Sequence, residues 1–146
     1  MNCSCGAAPV VALKVRLSRD ELPCAKCGGQ IVIDKMKAPR EAMHALRRWV
    51  DEAFAIETLW FASGDYADWA KAELDNPKSK IVKLGLEVAK KVPNAWLIWE
   101  THAGARQAVD KYLDHCPICR DPSEPTGLQP AFGLGCAKCR VAGSAV

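Results

Sequence analysis

The cysteines are the residues of this chain with the plainest capacity for chemistry. All eight fall in close pairs: Cys3 with Cys5, Cys24 with Cys27, Cys116 with Cys119, and Cys136 with Cys139. Two thiolates one or two residues apart on a tight turn can both point at one Zn²⁺ at about 2.3 Å, and two such turns complete a tetrahedron. Between Cys5 and Cys24 lie 18 residues, and between Cys119 and Cys136 lie 16. Either gap suits a hairpin joining two knuckles, as in a zinc ribbon. The spacing predicts two structural Zn²⁺ ions, one on Cys3, Cys5, Cys24 and Cys27, the other on Cys116, Cys119, Cys136 and Cys139. The tetrapeptide CAKC is the second knuckle of both units.

Other thiol chemistries fit less well. A thioredoxin-like redox pair needs a βαβ setting with one cysteine at a helix N-terminus, and none of the four pairs has one. An iron–sulfur cluster also takes four thiolates, yet even pairing favours zinc. A cross-braced arrangement would have to close the 88 residues between Cys27 and Cys116, and local closure costs less entropy. His115 adjoins Cys116, but four cysteines already fill that tetrahedron. Four thiolates leave no open position for water, so the ions would be structural. His44, His102 and His115 are scattered, and no glycine-rich phosphate loop or activated nucleophile is evident, so no enzyme activity is expected.

The elements that must position these knuckles can be read from periodicity. After the first pair, Val11, Leu13, Val15 and Leu17 alternate with Ala12, Lys14 and Arg16, the pattern of a half-buried strand, and "SRDE" turns the chain. "QIVID" after Gly28-Gly29 reads as a second strand, and the glycines let amides approach the sulfurs. The C-terminal unit, rich in proline and glycine between Cys119 and Cys136, must be held mainly by its metal. Between the units, "PREAMHALRRWVDEAFAIETLWFAS" places Met43, Leu46, Val50, Phe54 and Phe61 on one helical face, with Gly64 as the stop. "DYADWAKAELDN" and "PKSKIVKLGLEVAKKV" read as two further helices, "AWLIWE" as a buried strand, and "ARQAVDKYLDH" as a helix entering the second unit. The expected fold class is α+β: a helical middle segment with a short strand, flanked by an N-terminal and a C-terminal zinc ribbon, with boundaries at 1–38, 39–115 and 116–146.

Length and composition agree with one modest core: 146 residues, 49% hydrophobic. No stretch reaches the roughly 18 apolar residues of a membrane span, and the start has no secretory pattern. Eight reduced cysteines then suit a cytoplasmic protein.

The run "LWFASGDYADWAKAELDNPKSKIVKLGLEV", followed by "AWLIWE", "CPIC" and "GLGCAKCRVAGS", resembles a bacterial family of zinc-ribbon-containing proteins of unknown function that carry a provisional nucleic-acid-binding label. The resemblance covers about residues 59–146 and rests on Leu59-Trp60, Ser63-Gly64-Asp65-Tyr66, Trp69-Ala70, Asn76-Pro77-Lys78-Ser79, Gly85-Leu86 and Cys136-Ala137-Lys138-Cys139-Arg140. It implies a zinc-dependent structural module. This chain departs from the pattern in having Arg120, not glycine, after Cys119, and in its N-terminal ribbon.

Charge bears on that label. Eight thiolates and two dications lower the formal net charge from +3 to about −1, so no global basic field remains. Local clusters survive. On a helix over 78–91, Lys80, Lys83, Lys90 and Lys91 share about a third of the circumference, opposite Val82 and Ala89. Lys14 and Arg16 share a strand face, with Lys26 at the knuckle. These seven basic residues are the candidate phosphate contacts, and Phe132 is the only ribbon aromatic available for stacking. Trp49, Trp60, Trp69, Trp96 and Trp99 read as core, with one or two left for an interface. Two functions therefore stand nearly level: a nucleic-acid-associated binding module, and a protein-interaction adaptor or inhibitor docking on a larger complex such as RNA polymerase.

Overall fold

The structure is a computed structural model and describes residues 1–14, 18–100 and 114–143. It is mixed α+β. Three strands from distant parts of the chain form its axis: β1 (Val11–Leu13), β4 (Ala95–Trp99) and β7 (Val141–Gly143). β4 runs parallel to both neighbours, with Val11 opposite Ala95 and Leu97 opposite Val141. β6 (Leu134–Cys136) and β5 (Glu124–Pro125) extend the sheet antiparallel, giving the order β1-β4-β7-β6-β5. β2 (Glu21–Pro23) and β3 (Gln30–Val32) form a separate antiparallel hairpin. Three helices lie between β3 and β4: α1 (Arg40–Ala62), α2 (Ala67–Asp75) and α3 (Lys80–Lys91).

β4 is apolar at every position because both of its faces are covered, as in the centre of a parallel sheet. Ala95, Leu97 and Trp99, with Val11, Leu13 and Val141, pack against Leu46, Trp49 and Val50 of α1 and Ile81, Val82 and Val88 of α3. Trp96 and Ile98, with Ala12 and Ala142, form a second small core with Ala25 and Phe132, flanked by Val10, Leu128 and Ala131. The loop between Cys119 and Cys136 therefore roofs the face opposite the helices.

α3 shows why the helical layer sits close. Ser79 accepts from the Val82 amide at 3.3 Å and caps its N-terminus. Gly85 faces inward, where a Cβ would come within 2.9 Å of Leu97 Cδ1 and of Trp49 Nε1. α1 ends at Ala62, just before Gly64 takes φ +67°.

Several expectations need correction. β1 keeps an antiparallel bridge from Val11 to Cys24 in the first cysteine unit, but its ladder is made with β4, not with the strand that follows "SRDE". It is buried on both faces. Strands from all three expected segments, 1–38, 39–115 and 116–146, meet in one sheet, with those of the two cysteine units flanking β4. Trp49, Trp96 and Trp99 are core, but Trp69 is exposed and Phe61, assigned to the core face of α1, lies in solvent. The helix expected over "ARQAVDKYLDH" falls almost wholly outside the described residues, as does the second half of the "VVALKVRL" strand.

Candidate metal centres

In the first unit, CAKC forms the tip of the β2–β3 hairpin. Cys24 N–H donates to Gly29 O at 2.7 Å and Gly28 N–H donates to Cys24 O at 2.8 Å, which closes the turn. The N-terminal segment lies beside β3: Cys3 N–H donates to Gln30 O at 2.9 Å and Gln30 N–H to Met1 O at 2.8 Å. That approach requires Gly29, because a Cβ there would lie 2.6 Å from Cys3 Cα and 2.7 Å from Asn2 O. The four sulfurs converge, with Cys5 and Cys24 Sγ 3.8 Å apart and Cys3 and Cys27 Sγ 3.6 Å apart. In a tetrahedron with metal–sulfur bonds of about 2.3 Å, sulfurs sit about 3.8 Å apart, so the cluster has the dimensions of a four-thiolate metal site. The same separations are far too long for a disulfide.

The second unit repeats the turn. Cys116 N–H donates to Asp121 O at 2.8 Å and Arg120 N–H to Cys116 O at 2.9 Å. Cys136 and Cys139 close the β6–β7 hairpin, and Cys119 and Cys136 Sγ are 3.8 Å apart. In each group of four, all ligand atoms lie within 4.8 Å of one another. His115 is exposed and belongs to neither group, as expected. Each group can hold one metal ion.

The thiols are unequal. Amides of Gly29 and Ser4 donate to Cys27 and bring it down to about 6. The Asp121 amide lowers Cys119 in the same way. Burial, with the neighbouring sulfurs, pushes Cys5 up to about 12 and also raises Cys116 and Cys139. Cys3 receives the Cys5 amide, which lowers it, but burial and the sulfurs of Cys27 and Cys24 carry it above the usual thiol value. Each site thus contains one thiol that ionises readily and others whose protons a metal must displace.

Two features of the sites escaped the sequence reading. Gln129, in the roofing loop of the second unit, receives no signal from spacing, yet its amide N–H donates to Ala25 O at 3.0 Å and its Nε2 to Cys24 O at 3.4 Å. It ties the second unit to the knuckle of the first. In addition, the residue after each second cysteine is left-handed: Gly6 (φ 62°), Gly28 (76°), Arg120 (68°) and Arg140 (58°). Only two of the four announce this by being glycine.

The structure describes six of the seven basic candidates. Lys14 is buried, ion-paired with Glu100, and lies 5.8 Å from the centroid of Phe132. It cannot track a phosphate backbone. The alternation that reads as a solvent face puts Lys14 on the side of the sheet that Phe132 covers, and Phe132 itself is core, unavailable for stacking. Arg16 lies outside the described residues. Lys26 is exposed at the first knuckle, while Lys80, Lys83, Lys90 and Lys91 are exposed on α3, opposite the buried Val82 and Ala89. Lys91 pairs with Glu87 at 2.8 Å.

Comparison of the chain with protein-family models, curated proteins and solved structures found no match. Among the described residues, no helix is long and apolar enough to cross a membrane.

Proposed function

We propose that this chain is a non-enzymatic interaction module, built around two structural Zn²⁺ ions, that docks on another protein through the α1–α2 corner. Zinc is the metal that four paired thiolates at tetrahedral separation suit best, and a filled shell of four cysteines leaves no position for a reacting water. The observation that carries the docking role is the exposure of three large aromatics, Phe61, Tyr66 and Trp69, on one helical corner. Side chains of this kind anchor interfaces and are seldom left in solvent together.

The exposed lysines of α3 favour a second reading, nucleic-acid association through Lys26, Lys80, Lys83, Lys90 and Lys91, in keeping with the label of the resembling family. The burial of Lys14 weakens it. Native mass spectrometry of protein purified without added metal should show two zinc ions. A photo-crosslinker placed beside the corner in cells should then trap protein, with trapping lost in Phe61→Ser/Trp69→Ser and kept in Lys80→Glu/Lys83→Glu/Lys90→Glu. Binding to DNA or RNA that falls steeply with salt and disappears in the lysine variant, with no aromatic-dependent crosslink, would replace the docking reading with the nucleic-acid one.

A further inference from the structure

The chemistry of the docking partner can be read from what surrounds the aromatics. Phe61 is 72% exposed, Tyr66 61% and Trp69 51%; apart from Met1 and Leu134, these are all the exposed large hydrophobics among the described residues. Trp60 packs against Phe61 with ring centroids 4.3 Å apart. Tyr66 stands at the N-terminus of α2 and Trp69 follows one turn later, so the two are neighbours on the helix surface.

The corner is also held in shape. Ser63 Oγ donates to Leu59 O at 2.6 Å and accepts the Tyr66 amide at 3.0 Å, while Asp65 N–H donates to Ser63 O at 2.7 Å. A fixed turn presenting rigid aromatic rings binds with little ordering cost.

Charge selects the ligand. Residues 57–75 contain five acids, Glu57, Asp65, Asp68, Glu73 and Asp75, against one base, Lys71. Asp65 and Asp68 are exposed beside the aromatics. The concentrated basic residues are elsewhere, on α3. Phosphate backbones and anionic lipid surfaces would meet like charge here. Lysine and arginine side chains would meet both carboxylates and the negative faces of Trp, Tyr and Phe rings.

We propose, resting on the docking function above, that the α1–α2 corner binds a Lys/Arg-rich segment of a partner protein. Its aromatics take the aliphatic stems and cationic heads, and Asp65 and Asp68 supply the counter-charge.

The test is selection of a random displayed peptide library on the zinc-loaded full chain, with counter-selection on Phe61→Ser/Trp69→Ser. Recovered peptides should be enriched in Lys and Arg. A synthetic one should quench or shift tryptophan emission and weaken with salt. It should lose about tenfold or more in affinity in Trp69→Ser, and several-fold in Asp65→Asn/Asp68→Asn. Circular dichroism and bound-metal content will show that the variants remain folded. Aromatic-dependent peptides without basic enrichment would overturn the basic class while leaving protein docking intact. Absence of any aromatic-dependent peptide would sink both. A dimer in sedimentation that is lost in Lys80→Glu/Lys83→Glu would reassign the corner to a second copy of this chain.

Discussion

At the residue scale, the knuckles show how backbone conformation and thiol chemistry are set together. Arg120 and Arg140 occupy the left-handed position that Gly6 and Gly28 fill in the first unit. A side chain there costs about 1 kcal/mol. Arg140 has compensation, since its guanidinium lies 5.9 Å from the centroid of Trp96, whereas Arg120 is exposed and makes no comparable ring contact among the described residues. Arg120→Gly should therefore raise the thermal midpoint of the metal-loaded protein by a few degrees, and Arg140→Gly should give no gain; a scan in which Arg120→Gly melts earlier would refute the strain argument. The thiols make a second prediction. With Cys27 drawn down to about 6, Cys5 pushed up to about 12 and Cys3 raised, the metal-free first site at neutral pH holds Cys27 as thiolate while Cys3 and Cys5 retain their protons. Binding releases those protons, so affinity falls as pH falls. Because the depressed Cys27 takes up its own proton only below about pH 6, the dependence should steepen by one further proton below that point. Cobalt(II) titrations followed through the thiolate-to-metal absorption across pH 5–8 would measure it, and an unchanged slope through pH 6 would contradict it. The pairing of the cysteines was legible because ligand geometry imposes spacing, while the left-handed arginines were not, because arginine carries no signal for φ.

At the element scale, the helices and β4 were legible where periodicity and length coincide. The sheet was not, because parallel pairing of β1 with β4 joins residues more than eighty positions apart and leaves no local trace. Lys14 shows the consequence. An alternating strand with one lysine reads as half solvated, but a roof supplied by the distant Phe132 loop turns that face into core. The buried ammonium is held by Glu100. Removing the carboxylate takes a counter-charge from the buried ammonium, so Glu100→Ala should destabilise by roughly 3 kcal/mol, whereas the combined Lys14→Met/Glu100→Leu should recover most of the loss. Urea unfolding of the metal-loaded proteins would decide this. A double variant as unstable as Glu100→Ala would show that the pair contributes more than mutual neutralisation. Phe61 was misplaced for a different reason: it keeps the stripe of Leu46, Val50 and Phe54, but the buried residues of α1 end at Ala53, so the last turns of the helix run beyond the core.

At the scale of the whole molecule, one sheet joins the two cysteine groups. β4 is flanked by β1 from the first cysteine unit and β7 from the second, and Gln129 bonds directly to the backbone of the first CAKC turn. Losing the second metal would release the β6–β7 hairpin and the roof over Trp96 and Ile98. Each of those side chains gains on the order of 2 kcal/mol from burial. The first site would then stand on a sheet that has lost one edge and one cover. Cys136→Ser/Cys139→Ser should consequently weaken metal binding by Cys3, Cys5, Cys24 and Cys27 by about tenfold or more, even though no ligand of that site is changed. Linkage makes the coupling between the two bound ions reciprocal, so Cys3→Ser/Cys5→Ser should weaken the second site as well, by a comparable factor. Chelator titration of the wild-type chain should for the same reason remove both ions in one cooperative step that coincides with loss of β-sheet circular dichroism. Two separate steps, with the affinity of each site untouched by mutation of the other, would mean that the cysteine units fold as autonomous bodies and that β4 merely lies between them.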